Sequence, residues 1–356
     1  MKKRIIISLI LIIIIFLIAL VVMWFYKKDS KQSMKNEIAY NETIADRQEN
    51  NENKADNITY ENSNITNDTT VGEIVNNPAF NGFGQFIFPI QNRSNYSNMK
   101  ISNINSLLPY HSHINTDTTI EVISYMLNQV NEGNTIFYDI YSEEEKKQDT
   151  SKEDTGLFFF KGQPNAPFAI ICAGGGFSYV GSIHESYPHA LELSKMGYNA
   201  FVIQYRADWD KSVEDLARAI SFIFEHSQEL QVSTNDYSLW GGSAGARMVA
   251  YIGTHGVEYF GGGNYPKPAT VIMQYTGHSE VGDDEVPTFA VVGSNDGIAN
   301  PNTMQRRIQV LKSMGVDAEI KVYPNLSHGF GLGIGTSAEG WINDAVEFWA
   351  RHLRAR

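Results

Sequence analysis

The stretch Tyr237-Ser-Leu-Trp-Gly-Gly-Ser-Ala-Gly-Ala246 constrains this chain more than any other. Apolar residues run straight into a glycine-bracketed serine and small residues follow, which predicts a strand, a sharp turn and a helix in immediate succession. Gly241-x-Ser243-x-Gly245 fits the pattern G-x-S-x-G. In that pattern a serine is held in a strained turn, and neighbouring backbone passes too close for a Cβ. Ser243 is therefore the candidate nucleophile. A glycine-rich strand-to-helix turn is also an ordinary connector of α/β proteins, so what the other strands bring beside Ser243 decides its chemistry.

From Thr135 onward strand and helix patterns alternate. Candidate strands are Ile136–Tyr141, Leu157–Phe160, Phe168–Ala173, Ala200–Tyr205, Tyr237–Trp240, Thr270–Tyr275, Thr288–Val292 and Glu319–Tyr323. Between the later ones lie helices such as 213–227, which opens with the capping-box spacing Ser212-x-x-Asp215. Its apolar stripe is Val213, Leu216, Ala217, Ile220, Ile223 and Phe224. Continuous apolar strands joined by helices imply an α/β fold with a mostly parallel sheet covered on both faces.

Open α/β sheets gather their chemistry at the carboxyl ends of the strands. Phe168–Ala173 ends in Gly174-Gly-Gly176-Phe177, a run whose free N–H groups can converge on an anion, and no Walker Lys-Ser/Thr follows it. The strand ending at Val292 delivers Asp296, and Glu319–Tyr323 leads to His328. Nucleophile, acid and base thus arrive in the order Ser243, Asp296, His328. Asp283, Asp284 and Glu285 are alternative acids. They precede the strand Thr288–Val292, whereas Asp296 follows it on the edge that carries Ser243.

On these residues the chain resembles the α/β-hydrolase superfamily, specifically the esterase/lipase group with hormone-sensitive-lipase-like esterases and bacterial acetyl (sugar or xylan) esterases. The resemblance runs from about Thr135 to the C-terminus. The group's His-Gly-Gly-Gly motif stands here as Ala173-Gly174-Gly175-Gly176, alanine replacing histidine. The resemblance implies an eight-stranded sheet and an oxyanion hole made by the N–H groups of Gly175, Gly176 and Ala244. It also implies an acyl-enzyme on Ser243, with His328 as base and Asp296 orienting it. The substrate it implies is a small-molecule or carbohydrate ester, and it requires neither cofactor nor metal. The segment Thr276 to Pro287 is too short for a large cap, which favours short acyl groups. Phe177, Tyr179, His184, Glu185, His278 and Phe330 are candidates for substrate contact. A serine peptidase of the same fold and a non-catalytic surface-displayed binding module are the alternatives.

The remaining sequence sets the context. A formal net charge of −12 among 356 residues argues against nucleic-acid partners. Ile5 to Tyr26 is an uncharged run of 22 residues that spans about 33 Å as a helix at about 1.5 Å per residue, and it ends in Met-Trp-Phe-Tyr. It reads as a single-pass signal anchor in the cell membrane, with the bulk of the chain on the extracellular face. Residues 27–74 contain a segment, 31–70, with nine asparagines, and they read as a disordered tether. Order is expected from near Pro78, and 75–134 reads as an N-terminal extension or lid before the catalytic domain, 135–356. Within it a helix is expected over Thr118–Val130, capped by Asp117 or Thr118. His111-x-His113 has a metal-chelating spacing but no third ligand. The single cysteine, Cys172, permits no intrachain disulfide.

Overall fold

Eight strands form one sheet in the order β1-β2-β4-β3-β5-β6-β7-β8. The computed structural model describes residues 65–90 and 95–353, all within one compact unit, Tyr60–Arg356. The strands are β1 (Phe137–Tyr138), β2 (Gly156–Phe160), β3 (Pro167–Cys172), β4 (Asn199–Gln204), β5 (Ser233–Gly242), β6 (Thr270–Gln274), β7 (Thr288–Gly293) and β8 (Ala318–Tyr323). β2 runs antiparallel to β1 and β4, and every other pairing is parallel. The expected eight strands and their mostly parallel arrangement are thus present. β2, β4, β6 and β7 are buried at every position, which is why they read as unbroken apolar runs.

The helices are α1 (Val71–Val75), α2 (Thr116–Asn131), α3 (Glu143–Gln148), α4 (Ser182–Glu185) and α5 (Tyr187–Lys195). They continue with α6 (Trp209–Glu225), α7 (Ser227–Leu230), α8 (Ala244–His255), α9 (Pro301–Ser313) and α10 (Trp341–Arg351). α8 packs on β5 and β6, α5 on β4, and α9 on β7 and β8. Trp349 of α10 is fully buried and donates its indole N–H to the Asp236 carbonyl at 2.8 Å.

Several expected boundaries move, for identifiable reasons. α6 begins at Trp209 with Asp208 as its cap, accepting from the Lys211 N–H at 3.3 Å, rather than at the Ser212-x-x-Asp215 spacing. Ser212 donates instead to the Trp209 carbonyl, and Asp215 is wholly buried against Arg206 at 2.6 Å and the Tyr141 hydroxyl at 2.7 Å. α2 is capped by Asn115, not by Asp117 or Thr118, because its carboxamide oxygen accepts from both of their N–H groups. Order also starts earlier than Pro78. Thr70 and Glu73 form a reciprocal capping box on α1, whose Val71 and Ile74 are buried, so the last residues assigned to the tether belong to the fold.

The segment before β1 lies along the sheet edge. Phe83 stacks on Phe137 of β1 at 5.1 Å and meets Phe158 of β2 edge-on, while Tyr187 of α5 donates to the Phe86 carbonyl at 2.9 Å. Among the described residues no helix is long and apolar enough to cross a membrane; the run Ile5 to Tyr26 lies outside them, as do residues 27–64.

Candidate active site

β5 ends at Gly242 and α8 begins at Ala244, leaving Ser243 alone in the turn with φ 50° and ψ −111°. A positive φ is strained for a residue with a Cβ, and here the packing on either side imposes it. A Cβ on Gly241 would stand 2.4 Å from the Gly245 carbonyl carbon, and one on Gly245 would stand 2.0 Å from the Cys172 carbonyl oxygen. Both flanking glycines are therefore required by close approach. The Ser243 N–H is held by the Gln274 carbonyl at 2.9 Å.

Ser243 Oγ lies 3.0 Å from His328 Nε2, and His328 Nδ1 lies 2.7 Å from Asp296 Oδ2. A carboxylate facing Nδ1 can only accept, which places the ring proton on Nδ1 and leaves Nε2 to accept from the serine hydroxyl. The other carboxylate oxygen of Asp296 accepts the N–H groups of Ile298 and Ala299 at 2.8 and 2.7 Å, fixing the carboxyl plane. His328 and Asp296 are both buried. Two of the alternative acids are engaged elsewhere, Asp284 with Lys267 at 2.8 Å and Glu285 in a buried pair with Arg307 at 3.0 Å, and Asp283 is exposed.

Gly175 and Gly176 have φ of 140° and 62°, backbone that favours glycine, and they follow β3 directly. Among the described residues the backbone N–H groups of Gly175, Gly176 and Ala244 have no protein acceptor, which leaves them available to an anion. Ala173, where the esterase group has histidine, is buried, and its carbonyl accepts from Tyr205 at 2.6 Å.

A cleft of about 340 Å³ opens over Ser243, lined among others by Phe177, Ala244, Arg247, Thr276 and His278. Phe177 and His278 thus line the same cleft as the serine. Tyr179 and Phe330 do not. Tyr179 is buried and hydrogen-bonds His111 at 2.9 Å, and Phe330 is fully enclosed against Tyr275. His184 and Glu185 are likewise buried beneath the loops. Burial and the nearby Arg307 charge push His278 down to about 4, so it is neutral near pH 7. Its Nε2 has no partner among the described residues.

Arg247 escaped the sequence reading, although its place four residues after Ser243 puts it one helical turn along α8. Its guanidinium lies 4.5 Å over the ring of Trp209, which meets Phe177 edge-on at 5.4 Å. A larger cleft of about 670 Å³, lined by Trp209, Tyr259 and Phe260, contains none of the strand-end groups. His111 and His113 do not converge on a metal: His111 turns inward to Glu185, and His113 is exposed.

Comparison with known proteins agrees with this fold. A family model described as BD-FAE matches residues 160–302. An acetylxylan esterase of Xylanibacter ruminicola is 23% identical over 209 residues, covering 49% of this chain and 43% of its own. The endo-1,4-beta-xylanase B of Butyrivibrio fibrisolvens is 30% identical over 93 residues, covering 24% of this chain and 14% of its own. The chain thus spans less than half the length of both curated relatives. Among solved structures, a propionate-bound thermophilic esterase of Thermogutta terrifontis matches with TM-score 0.50 at 17% identity, covering 57% of this chain and 92% of its own. An acetyl ester-xyloside bifunctional hydrolase of Caldicellulosiruptor lactoaceticus matches with TM-score 0.50 at 22% identity, covering 55% and 88%. The fold is that of the α/β-hydrolases, and the resemblance is to esterases within it.

Proposed function

We propose that this α/β-hydrolase-fold chain is a serine carboxylic-ester hydrolase acting on short-acyl esters, acetyl groups on carbohydrate above all. The observation that carries the proposal is the series Asp296, His328, Ser243, linked at 2.7 and 3.0 Å beside a glycine loop with free N–H groups. His328 Nε2 takes the Ser243 proton as the oxygen attacks the ester carbonyl. The N–H groups of Gly175, Gly176 and Ala244 receive the oxyanion. His328 then protonates the departing alcohol, and water deprotonated by the same imidazole releases the acid from the acyl-enzyme. Asp296 keeps the tautomer and balances the imidazolium.

The substrate class is supported by the relatives, one named an acetylxylan esterase and one a xylanase. Acyl length is supported by the cleft of about 340 Å³, lined by the bulky Phe177 and His278. Labelling with a fluorophosphonate, mapped to Ser243 and slowed by competing acetyl ester present during the reaction, tests the reaction class. No label and no turnover of p-nitrophenyl acetate would leave the binding-module alternative, and turnover of aminoacyl-anilides in preference to esters would indicate a peptidase. kcat/KM should be highest for C2 to C4 esters; a steady rise to C12 would refute the compact cleft. Placement at the extracellular membrane face rests on the run Ile5 to Tyr26. Carbonate extraction and protease accessibility of intact cells test it.

A further inference from the structure

Directly behind the nucleophile sits a carboxylate that the reaction scheme does not use. Glu185 is wholly buried, and its Oε2 accepts the N–H of Gly174, the first residue of the oxyanion loop, at 2.5 Å. A Cβ on Gly174 would lie 2.9 Å from that oxygen and 2.7 Å from the Ser243 Cβ, and a Cβ on Gly242 would lie 2.5 Å from the same oxygen. The carboxylate thus occupies the space between the end of β3 and the serine turn. Its other oxygen stands 3.0 Å from His111 Nε2, with side-chain exposures of 0% and 1%. Neither atom has a hydrogen-bond partner elsewhere among the described residues. His111 Nδ1 is held by the Tyr179 hydroxyl at 2.9 Å, which also accepts from the Tyr110 N–H.

Two physical demands meet here. Burial alone would raise the Glu185 carboxyl, yet His111 and the Gly174 N–H hold it down to about 2, so a negative charge persists under the loop. A buried negative charge beside a developing oxyanion opposes it unless a partner offsets the field. Among the described residues His111, from the segment before β1, is the ion-pair partner at Oε1, and the Tyr275 hydroxyl bonds the same carboxylate. That segment also ties down the base: Ser112 donates to the His328 carbonyl at 2.7 Å and to the Gly329 carbonyl at 2.9 Å, while neutral His184 donates to Gly329 at 3.0 Å.

We propose that Glu185 and His111 are positioning residues of the esterase reaction. Glu185 sets the oxyanion loop through the Gly174 N–H, and His111, donating from Nε2 to Oε1, offsets the field of that carboxylate at the oxyanion. The segment bearing His111 therefore completes the active site rather than roofing it. This rests on the serine-hydrolase reading above.

The test compares kcat and KM for p-nitrophenyl acetate in the full chain in detergent. His111→Gln should lower kcat about 10²-fold, the scale of losing one oxyanion donor, with KM changed less than about threefold. Glu185→Gln keeps an oxygen for Gly174 and loses the charge, so kcat should stay within about tenfold. The double variant should return to the Glu185→Gln level, because the charge that His111 offsets is gone. A double variant with kcat well below the Glu185→Gln level, or an unchanged kcat in His111→Gln, overturns the proposal. Should His111→Gln not fold, Tyr179→Phe carries the same logic, with a smaller kcat loss that must vanish in the Glu185→Gln background. A wild-type chain that neither turns over ester nor takes the fluorophosphonate removes the hydrolase reading and this proposal together. An active wild type with additive variants removes this proposal alone.

Discussion

Replacing Asp296 by asparagine tests the reaction scheme at its most specific point, because the surrounding donors dictate how the new amide must lie. One carboxylate oxygen accepts two backbone N–H groups, from Ile298 and Ala299 at 2.8 and 2.7 Å, and the other faces His328. An amide NH2 turned toward those two donors would leave both unsatisfied, at about 1–3 kcal/mol each. The amide oxygen therefore stays on the loop and the NH2 faces His328. Imidazole must then accept at Nδ1 and carry its proton on Nε2, pointing at Ser243 Oγ, where it cannot act as a base. Recovering the productive arrangement costs about 2–6 kcal/mol, or about 30-fold to 10⁴-fold at about 1.4 kcal/mol per decade, before the lost stabilisation of imidazolium is counted. The expected fall in kcat is about 10³–10⁴, the scale for a triad with the wrong tautomer. Circular dichroism and thermal melting should match wild type, since no packing atom is removed. Near-normal acetyl-ester turnover in a folded Asp296→Asn protein would refute the assignment. Asp283→Asn and Asp284→Asn should each stay within about tenfold.

Residues 60–356 should express as an active, soluble enzyme, whereas a chain starting at residue 75 should melt lower or aggregate, because it lacks the buried Val71 and Ile74 of α1; equal melting temperatures would refute this. Acid should weaken the fold well before the carboxylates titrate. Burial holds His184 at about 4, His189 at about 3 and His278 at about 4, so the unfolded chain binds more protons than the folded one below pH 6.5. The urea midpoint should drop steadily from pH 6.5 to pH 4.5, and a flat profile would contradict it. Arg206→Met should cost about 3–5 kcal/mol in denaturant unfolding, because Asp215 stays buried without its cation, while turnover per folded molecule is unchanged. A loss under about 1 kcal/mol would mean that the pair is dispensable. Glu285→Gln should likewise destabilise, by stranding Arg307, without touching kcat beyond about tenfold.

What the sequence revealed, and what it hid, divides along contact range. The inner strands were legible because a strand buried on both faces is an uninterrupted apolar word, as in Phe168-Ala-Ile-Ile-Cys172, whereas the edge strands β1 and β8 are only partly buried. The meeting of Ser243, Asp296 and His328 could be anticipated because each follows a strand end and their order carries information. Helix starts were less so: Ser212-x-x-Asp215 has the right spacing for a cap, but tertiary partners claimed Asp215. Tyr179 and Glu185 stood near the glycine loop and read as substrate contacts, when their true partner is His111, separated from Tyr179 by 68 residues. No local pattern marks such a pair. Gly174 and Gly242 hint at it, and their reason, a carboxylate where a Cβ would be, is visible only in three dimensions.

The bond from Ser112 to the His328 carbonyl joins positions 216 apart, and this bears on how the molecule is born. As the chain leaves the ribosome, the nucleophile turn, the oxyanion loop and Asp296 all emerge while Ser112 waits without its acceptor. Contacts of such long range form late, since the loop they close must be ordered first. A nascent chain arrested after Gly297 would hold a serine and an acid but no base, and the segment bearing His111 would have nothing at its far end to grip. A chain arrested there lacks His328, and the bond from Ser112 can close only once synthesis has passed that residue.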